Sequence, residues 1–391
     1  MRRSFVLIVV LLATALLLAG CNSNRSRSPI VTASPGAIPE PVDPDLDALI
    51  HPSWSGRPTA LPEIILPQAI TDTQALQDAA RYYDAGMLAF DDSQWEAAIA
   101  HFHQALQLNP RHALAHNFRG AAYRHIGSEQ SSLDVYLSYN DLAILDFTRA
   151  TIADPTLSRA FNNRGASLAR RAAVEPIREY RQAWLASALT DFSQAIAIGA
   201  EGDQAYCNRS QVFSALGQCD QAQSDAALCS SRYVEVTTQY HECAGNHEQA
   251  LSVLEAAVQH AYTSDLSMLY DQEGDIYLEL GMYERALNRF DLSLSTYQGP
   301  FPPGLTLYGR AAAEYYLGRF EEAKNDIAQG ECKTWVRWGV PYYYLGMMAW
   351  QDGKTGDALV YLEWAERTLD DGDLLNATRQ AIQKLKSGAV P

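Results

Sequence analysis

Residues 79–112 read AARYYDAGMLAFDDSQWEAAIAHFHQALQLNPRH. In this 34-residue stretch Gly86, Ala98, Phe102, Ala105 and Pro110 occupy positions 8, 20, 24, 27 and 32. Small side chains at three of these positions let two antiparallel helices approach closely. The aromatic fills the gap beside them, and proline ends the second helix. The frame returns twice, as Gly120, Ala143, Phe147, Ala150 and Pro155, then as Gly165, Ala188, Phe192 and Ala195. In both of these repeats 23 residues run from position 8 to position 20, where the first repeat has 12, so each carries the same eleven-residue insertion. Eleven residues make about three helical turns, roughly 16 Å. The expectation is therefore an N-terminal extension of each second helix, over Ser131–Asn140 and Pro176–Ala186, with Pro176 suited to a first turn. Leu133, Val135, Tyr136 and Leu137 in one insertion, and Tyr180 and Trp184 in the other, give these extensions an apolar side.

Further copies follow in a looser form. The fourth keeps Tyr206, Phe213, Gly217 and Ala222, with Ser210 and Cys229 in place of the usual small residues. The fifth is marked by Ala250, Leu254 and Ala257 after a short first helix near Tyr233–Cys243. The sixth has Tyr270, Gly274, Tyr277, Gly281, Ala286 and Phe290; the seventh Tyr315, Gly318 and Ala323; the eighth Tyr342, Gly346, Gly353, Ala358 and Ala365. Leu374–Lys386 reads as a closing amphipathic helix ending in Lys-Leu-Lys, with Gly388 beyond it.

This pattern resembles the tetratricopeptide repeat (TPR) family over roughly 79–372, three quarters of the chain. The resemblance implies an all-α fold, a right-handed superhelix of antiparallel helix pairs with a C-terminal capping helix. Its groove, lined by the first helices, would bind extended peptides or partner helices. The expected organisation is a signal at 1–20, a tether over 21–72, an array of seven to eight repeats over 73–372, and a cap and tail over 373–391.

The N-terminus has its own reading. Arg2 and Arg3 precede an apolar and small-residue run from Phe5 to Gly20, which ends in Leu18-Ala19-Gly20-Cys21. Sixteen residues are short for a bilayer span of about twenty, and the flanks fit a secretory signal. The ending resembles the lipobox of bacterial lipoproteins, which implies lipidation of Cys21 and an extracytoplasmic chain anchored to a bacterial membrane. Asn22 is not the aspartate that some diderm bacteria use as an inner-membrane retention signal, and the choice of membrane stays open. Nine of the seventeen prolines lie between Cys21 and Thr71, which argues for an extended tether. One part of it, Leu61–Ile70 with Ile64, Ile65 and Leu66, is apolar enough to pack on the first helices.

Composition excludes some functions. Thirty basic residues against forty-six acidic ones give −16, and −18 without the first twenty residues, the wrong sign for a nucleic-acid surface. The balance favours a partner with a basic segment. There is no GxSxG, P-loop, GxGxxG, HExxH or CxxC motif, so neither an enzyme nor a cofactor is expected. His112 and His116 have i, i+4 spacing, but no nearby Cys, Asp or Glu completes a set, so no metal is expected.

Laid over the repeat frame, the cysteines permit Cys207 with Cys229 and Cys219 with Cys243, leaving Cys332. The alternative is that they fill helix contacts as small buried residues. In many TPR domains an asparagine near position 6 holds a bound peptide's backbone. Here Asn163 and Asn208 fall on position 6, and Asn117 and Asn162 on position 5. Arg119, Arg164 and Arg209 at position 7 are expected to pair with acids of a neighbouring helix, and Tyr308, Tyr343, Tyr344 and Trp350 to face the groove. The resulting expectation is a membrane-anchored scaffold for protein or peptide partners, resembling TPR lipoproteins of cell-envelope assembly and maintenance. A solute- or glycan-binding receptor with an aromatic-rich groove is the alternative. Oligomeric state is left open.

Overall fold

The computed structural model describes residues 64–130, 133–199, 203–230, 233–297, 304–333, 339–370 and 372–389. The lipobox cysteine Cys21 and most of the tether lie outside these residues, as does the side chain of Cys332. Seventeen helices and no strand are present among the described residues, arranged as the stacked helix pairs of a TPR solenoid. The chain divides into two compact lobes, one over 64–175 and 179–245 and one over 246–391, with Pro176–Arg178 grouped with the second.

In the first lobe, repeat one pairs α1 (Thr73–Asp91) with α2 (Trp95–Leu108). Asp72 starts α1 by accepting from the amides of Gln74 at 2.9 Å and Ala75 at 3.4 Å, which satisfies two of the orphan donors at a helix start. Repeat two pairs α3 (Ala113–Ser128) with α4 (Leu133–Ala153), and repeat three pairs α5 (Ser158–Ala173) with α6 (Arg178–Ile198). The second helices α4 and α6 are each 21 residues long against 14 in α2, so the insertions are helical from Leu133 and from Arg178 onward, whereas Pro176 stands two residues before α6 and not in its first turn. Repeat four is the pair α7 (Gln204–Ala215) and α8 (Cys219–Ala226), followed by α9 (Tyr233–Cys243).

The second lobe begins with α10 (His247–Val258), so the division falls inside the fifth repeat, at Gly245. Repeat six is α11 (Thr263–Glu279) with α12 (Tyr283–Thr296), repeat seven α13 (Gly304–Tyr316) with α14 (Phe320–Lys333), and repeat eight α15 (Gly339–Gln351) with α16 (Thr355–Thr368). Beyond them α17 (Asp373–Lys386) lays Leu375, Ala381, Ile382 and Leu385 against the last pair.

One contact explains why glycine sits at position 8. A Cβ on Gly86, Gly120, Gly165 or Gly274 would stand 2.6–2.9 Å from the ring of Phe102, Phe147, Phe192 or Phe290, respectively. Real Cβ contacts do not come so close, so glycine is what lets the phenylalanine at position 24 lie flat across the first helix. Repeat eight makes the same contact between Gly346 and Leu362. Ala98, Ala105, Ala143, Ala150, Ala188, Ala195, Ala286, Ala323 and Ala358 are fully buried at the seams between helices. Pro110 and Pro155 stand in the turns that follow α2 and α4.

The turn between first and second helix also repeats. Gly217, Gly281, Gly318 and Gly353 take φ between 69° and 75°, and the amide after each bonds to a carbonyl five residues back. This is a Schellman closure, which needs a left-handed residue. Repeat one uses Ser93, with φ 58°, for the same turn.

Candidate functional site

The polar side chains of the first helices form two kinds of stitch. Arg119 clamps Asp146 with two bonds of 2.7 Å, and Arg164 clamps Asp191 likewise. Arg209 holds Asp225 at 2.6 and 2.8 Å, and Arg310 holds Asp326 at 2.5 and 2.9 Å. Each is an arginine at position 7 paired with an aspartate at position 23. The separation is 27 residues in the two long repeats and 16 in the others, so the helical insertion lengthens the chain between the partners without moving them apart. The fork geometry of a guanidinium on a carboxylate makes these strong bonds.

The remaining nitrogen of each arginine reaches the preceding repeat. Arg119 Nη1 donates to His103 at 3.3 Å, Arg164 Nη1 to Thr151 at 3.0 Å, Arg209 Nη1 to Ser193 at 3.2 Å, and Arg310 Nη1 to Asp291 at 2.9 Å. One residue thus closes its own repeat and ties it to its neighbour. In an array whose stability depends on nearest-neighbour interfaces, this is a structural role. Repeat six inverts the signs: Glu273 stands at position 7 and Arg289 at position 23, 2.9 Å apart.

Asparagines make the second stitch. Asn163 Nδ2 donates to Asn117 Oδ1 at 2.9 Å, and Asn208 Nδ2 donates to Asn162 Oδ1 at 3.1 Å. Position 6 of one repeat is bonded to position 5 of the repeat before it. The series ends at repeat four because its position 5 is Cys207, joined to Cys229 with Cα atoms 4.9 Å apart. A second disulfide joins Cys219 to Cys243 with Cα atoms 5.5 Å apart.

These geometries correct part of the groove expected from the sequence. Asn117 is 1% exposed and Asn208 is 9% exposed, so their amides hold helices together and do not face a ligand. Asn162 and Asn163 remain half-buried at the same seams. Tyr308, Tyr343, Tyr344 and Trp350 are all buried, which removes them from any groove surface. The reason is packing: small residues on facing helices leave room that only a ring fills, as where Tyr308 lies against Gly330, whose Cβ would be 2.5 Å from it. Burial pushes the Tyr343 phenol up to about 12 and that of Tyr344 higher than usual. The histidines are likewise engaged. His112 Nδ1 accepts from the Ala115 amide at 3.2 Å, capping α3, and His116 lies between Asp146 at 3.2 Å and the Pro110 carbonyl at 3.0 Å.

What the first helices of the second lobe present is different. Met268 and Leu305, both at position 2, are 54% and 42% exposed on consecutive first helices. Asp271 is hydrogen-bonded to Thr306; burial pushes its carboxyl up to about 6, against that bond, and its Oδ1 has no partner among the described residues. Glu314 is pushed up to about 7, first by burial and then by Asp326, and its Oε2 is also unpartnered. Sequence reading missed this acidic and apolar row, although the position-2 residues could have been found from the frame.

No family model matches the chain, and no curated protein matches it. Among solved structures it is similar to IFIT1, a monomeric mutant form with m7Gppp-AAAA, at 14% identity and TM-score 0.54 over 79% of this chain and 71% of that one. Yeast Tom70 is similar at 15% identity and TM-score 0.48, over 88% and 69% of the two chains. A tetratricopeptide repeat protein of Parabacteroides merdae is similar at 12% identity and TM-score 0.45, over 79% and 99%. At these identities the likeness is one of fold.

Proposed function

We propose that this chain is a lipid-anchored extracytoplasmic scaffold, held at a bacterial membrane through Cys21, that binds protein or peptide partners of the cell envelope. The observation that carries the binding reading is on the first helices of the second lobe, where Met268 and Leu305 are exposed at the same repeat position and Asp271, three residues after Met268, is hydrogen-bonded to Thr306, the residue after Leu305. Apolar anchors beside a carboxylate suit a partner segment that pairs apolar side chains with Lys or Arg. The two disulfides support the export reading, because such bonds persist in oxidising compartments. Burial of Tyr343 and Trp350 takes two of the aromatics named for the glycan-receptor alternative off the surface.

Crosslinking in the native membrane followed by partner identification tests this, comparing the wild type with Met268→Ala plus Leu305→Ala. The double variant is expected to lose its crosslinked partners while staying folded. Unchanged partners would move the binding surface elsewhere. The anchor is tested separately: Cys21→Ala is expected to abolish palmitate labelling and release the chain from the membrane fraction.

A further inference from the structure

The second helices of repeats one and two, the start of α3 and the segment 64–67 line an open pocket of about 300 Å³, at the small end of ligand-binding pockets. It shares no residue with the asparagine stitches or with the row around Asp271. One side is apolar, formed by Ile64, Leu66 and Leu106. Ile64 is itself buried, and the segment that carries it is pinned by a 2.8 Å bond from Arg111 Nε to the Pro67 carbonyl.

The other side holds two arginines and a histidine. Arg119, Arg149 and His116 all line the cavity, and each is at most 9% exposed. All three face one acid, Asp146, 2.7 Å from Arg119, 3.2 Å from His116 and 3.6 Å from Arg149. Burial pushes the Asp146 carboxyl up, but Arg119 and His116 outweigh it and hold the group well below the usual carboxylate range. His103, also on the lining, has a donor at each ring nitrogen, Arg119 Nη1 3.3 Å from Nδ1 and Gln107 Nε2 3.0 Å from Nε2, and a neutral ring accepts from only one of them. Both arginines make further contacts with neighbours. A guanidinium has five donors, however, and a buried one aimed at a cavity can accept an additional oxyanion without giving up its first partner.

We propose that this cavity binds a small carboxylate with an apolar body, the head group on Arg149 and Arg119 and the body against Ile64, Leu66 and Leu106. The inference is independent of the scaffold reading. The chain also carries a carboxylate of its own one residue before Ile64, at Glu63, so the test must separate a free ligand from an internal one.

The experiment is calorimetric titration of the full chain with sodium hexanoate, and with 1-hexanol as the uncharged control. Wild type, Arg149→Gln and Glu63→Gln are compared, each checked by circular dichroism. Saturable hexanoate binding in the wild type, at least tenfold weaker in Arg149→Gln and absent for hexanol, establishes a site for a free carboxylate. Binding that appears only in Glu63→Gln supports the same site with the chain's own carboxylate as resident. No saturable binding in either the wild type or Glu63→Gln overturns the proposal, as does hexanol binding as tightly as hexanoate. Should Arg149→Gln fail to fold, Arg149→Lys replaces it: a severalfold loss of affinity is expected, and an unchanged affinity in this variant overturns the assignment of the head group.

Discussion

The two lobes share one helix frame but balance buried charge differently. In the first, every position-7 arginine meets a position-23 aspartate, neutral amides join consecutive first helices, and two disulfides close the end. In the second, one clamp is inverted, repeat eight has Leu345 and Tyr361 at the clamp positions, and carboxylates at Asp271, Glu273 and Glu314 are pushed up mainly by burial. The first lobe therefore keeps its buried acids clamped by arginine, although at Asp191 burial outweighs the clamp and pushes the carboxyl up. The second keeps acids whose charge burial opposes.

The largest difference should appear when a clamp is broken. Asp146→Ala leaves Arg119, Arg149 and His116 buried around a missing charge and is expected to cost about 3–5 kcal/mol in urea unfolding. Arg289→Ala leaves Glu273, which can take up a proton, so a loss of only roughly 1–2 kcal/mol is expected there. Equal losses would mean that the inverted clamp is as demanding as the others. Next in size is reduction of the disulfides, which close loops of 22 and 24 residues. Restriction of the unfolded chain contributes typically about 2–4 kcal/mol per bond. Dithiothreitol should lower the melting of the first lobe and leave that of the second in place.

A third pair of substitutions probes what the lobes have in common. A Cβ would lie 2.8 Å from Phe192 in Gly165→Ala and 2.6 Å from Phe290 in Gly274→Ala. Overpacking of this kind costs about 1–3 kcal/mol, and the two losses should match within error. A marked inequality would show that the frame is not mechanically the same in both lobes.

Much of this was legible in the sequence because it depends on local spacing. Gly at position 8 and Phe at position 24 announce one contact each, and the pairs Cys207 with Cys229 and Cys219 with Cys243 follow once helices are laid antiparallel. The aspartates at position 23 were also readable, since Asp146 and Asp191 directly precede the signature residues Phe147 and Phe192. What spacing does not encode is the angle at which one repeat meets the next. That angle turns Asn117 and Asn208 into the seam and sinks Tyr343 and Trp350 into the core, so the side chains chosen as ligand contacts were those the neighbouring repeat had already used. The cavity under Ile64 needed the structure for the same reason, as its lining comes from α2, α3, α4 and a segment with no regular structure.

The pH response should differ in sign between the lobes. Glu314 titrates near 7 in the fold against about 4.5 unfolded, so the native chain binds the extra proton between those values. Stability present at low pH is lost as pH rises through this window, and Glu314→Gln should remove the loss. Asp146 behaves oppositely: its folded value is depressed, so its stabilisation is complete above the ordinary carboxylate range and is lost only as pH falls below it. Melting followed from about pH 5 to 8 should therefore show the second lobe dropping by roughly 2–4 °C, while the first rises toward about pH 6.5 as His103, His112 and His125, whose pKa values burial lowers, lose their proton in the unfolded chain as well. A parallel decline of both lobes would dissolve the electrostatic contrast.

The smallest effect tests a turn present in both lobes. Ser93 occupies the left-handed position that Gly217, Gly281, Gly318 and Gly353 fill elsewhere. A side chain there costs on the order of 1 kcal/mol, part of which glycine returns as a larger entropy in the unfolded chain. Ser93→Gly should therefore stabilise the first lobe by about 0.5 kcal/mol, and Gly281→Ala should destabilise the second by about 1 kcal/mol. The amide of Gln94 bonds to the Ala89 carbonyl at 2.8 Å and that of Met282 to Tyr277 at 2.8 Å, so the hydrogen bonding is the same and only the left-handed residue differs. If Ser93→Gly were neutral while Gly281→Ala is costly, the serine turn would have to gain something that the glycine turns lack, and the two lobes would differ in their turns as well as in their charges.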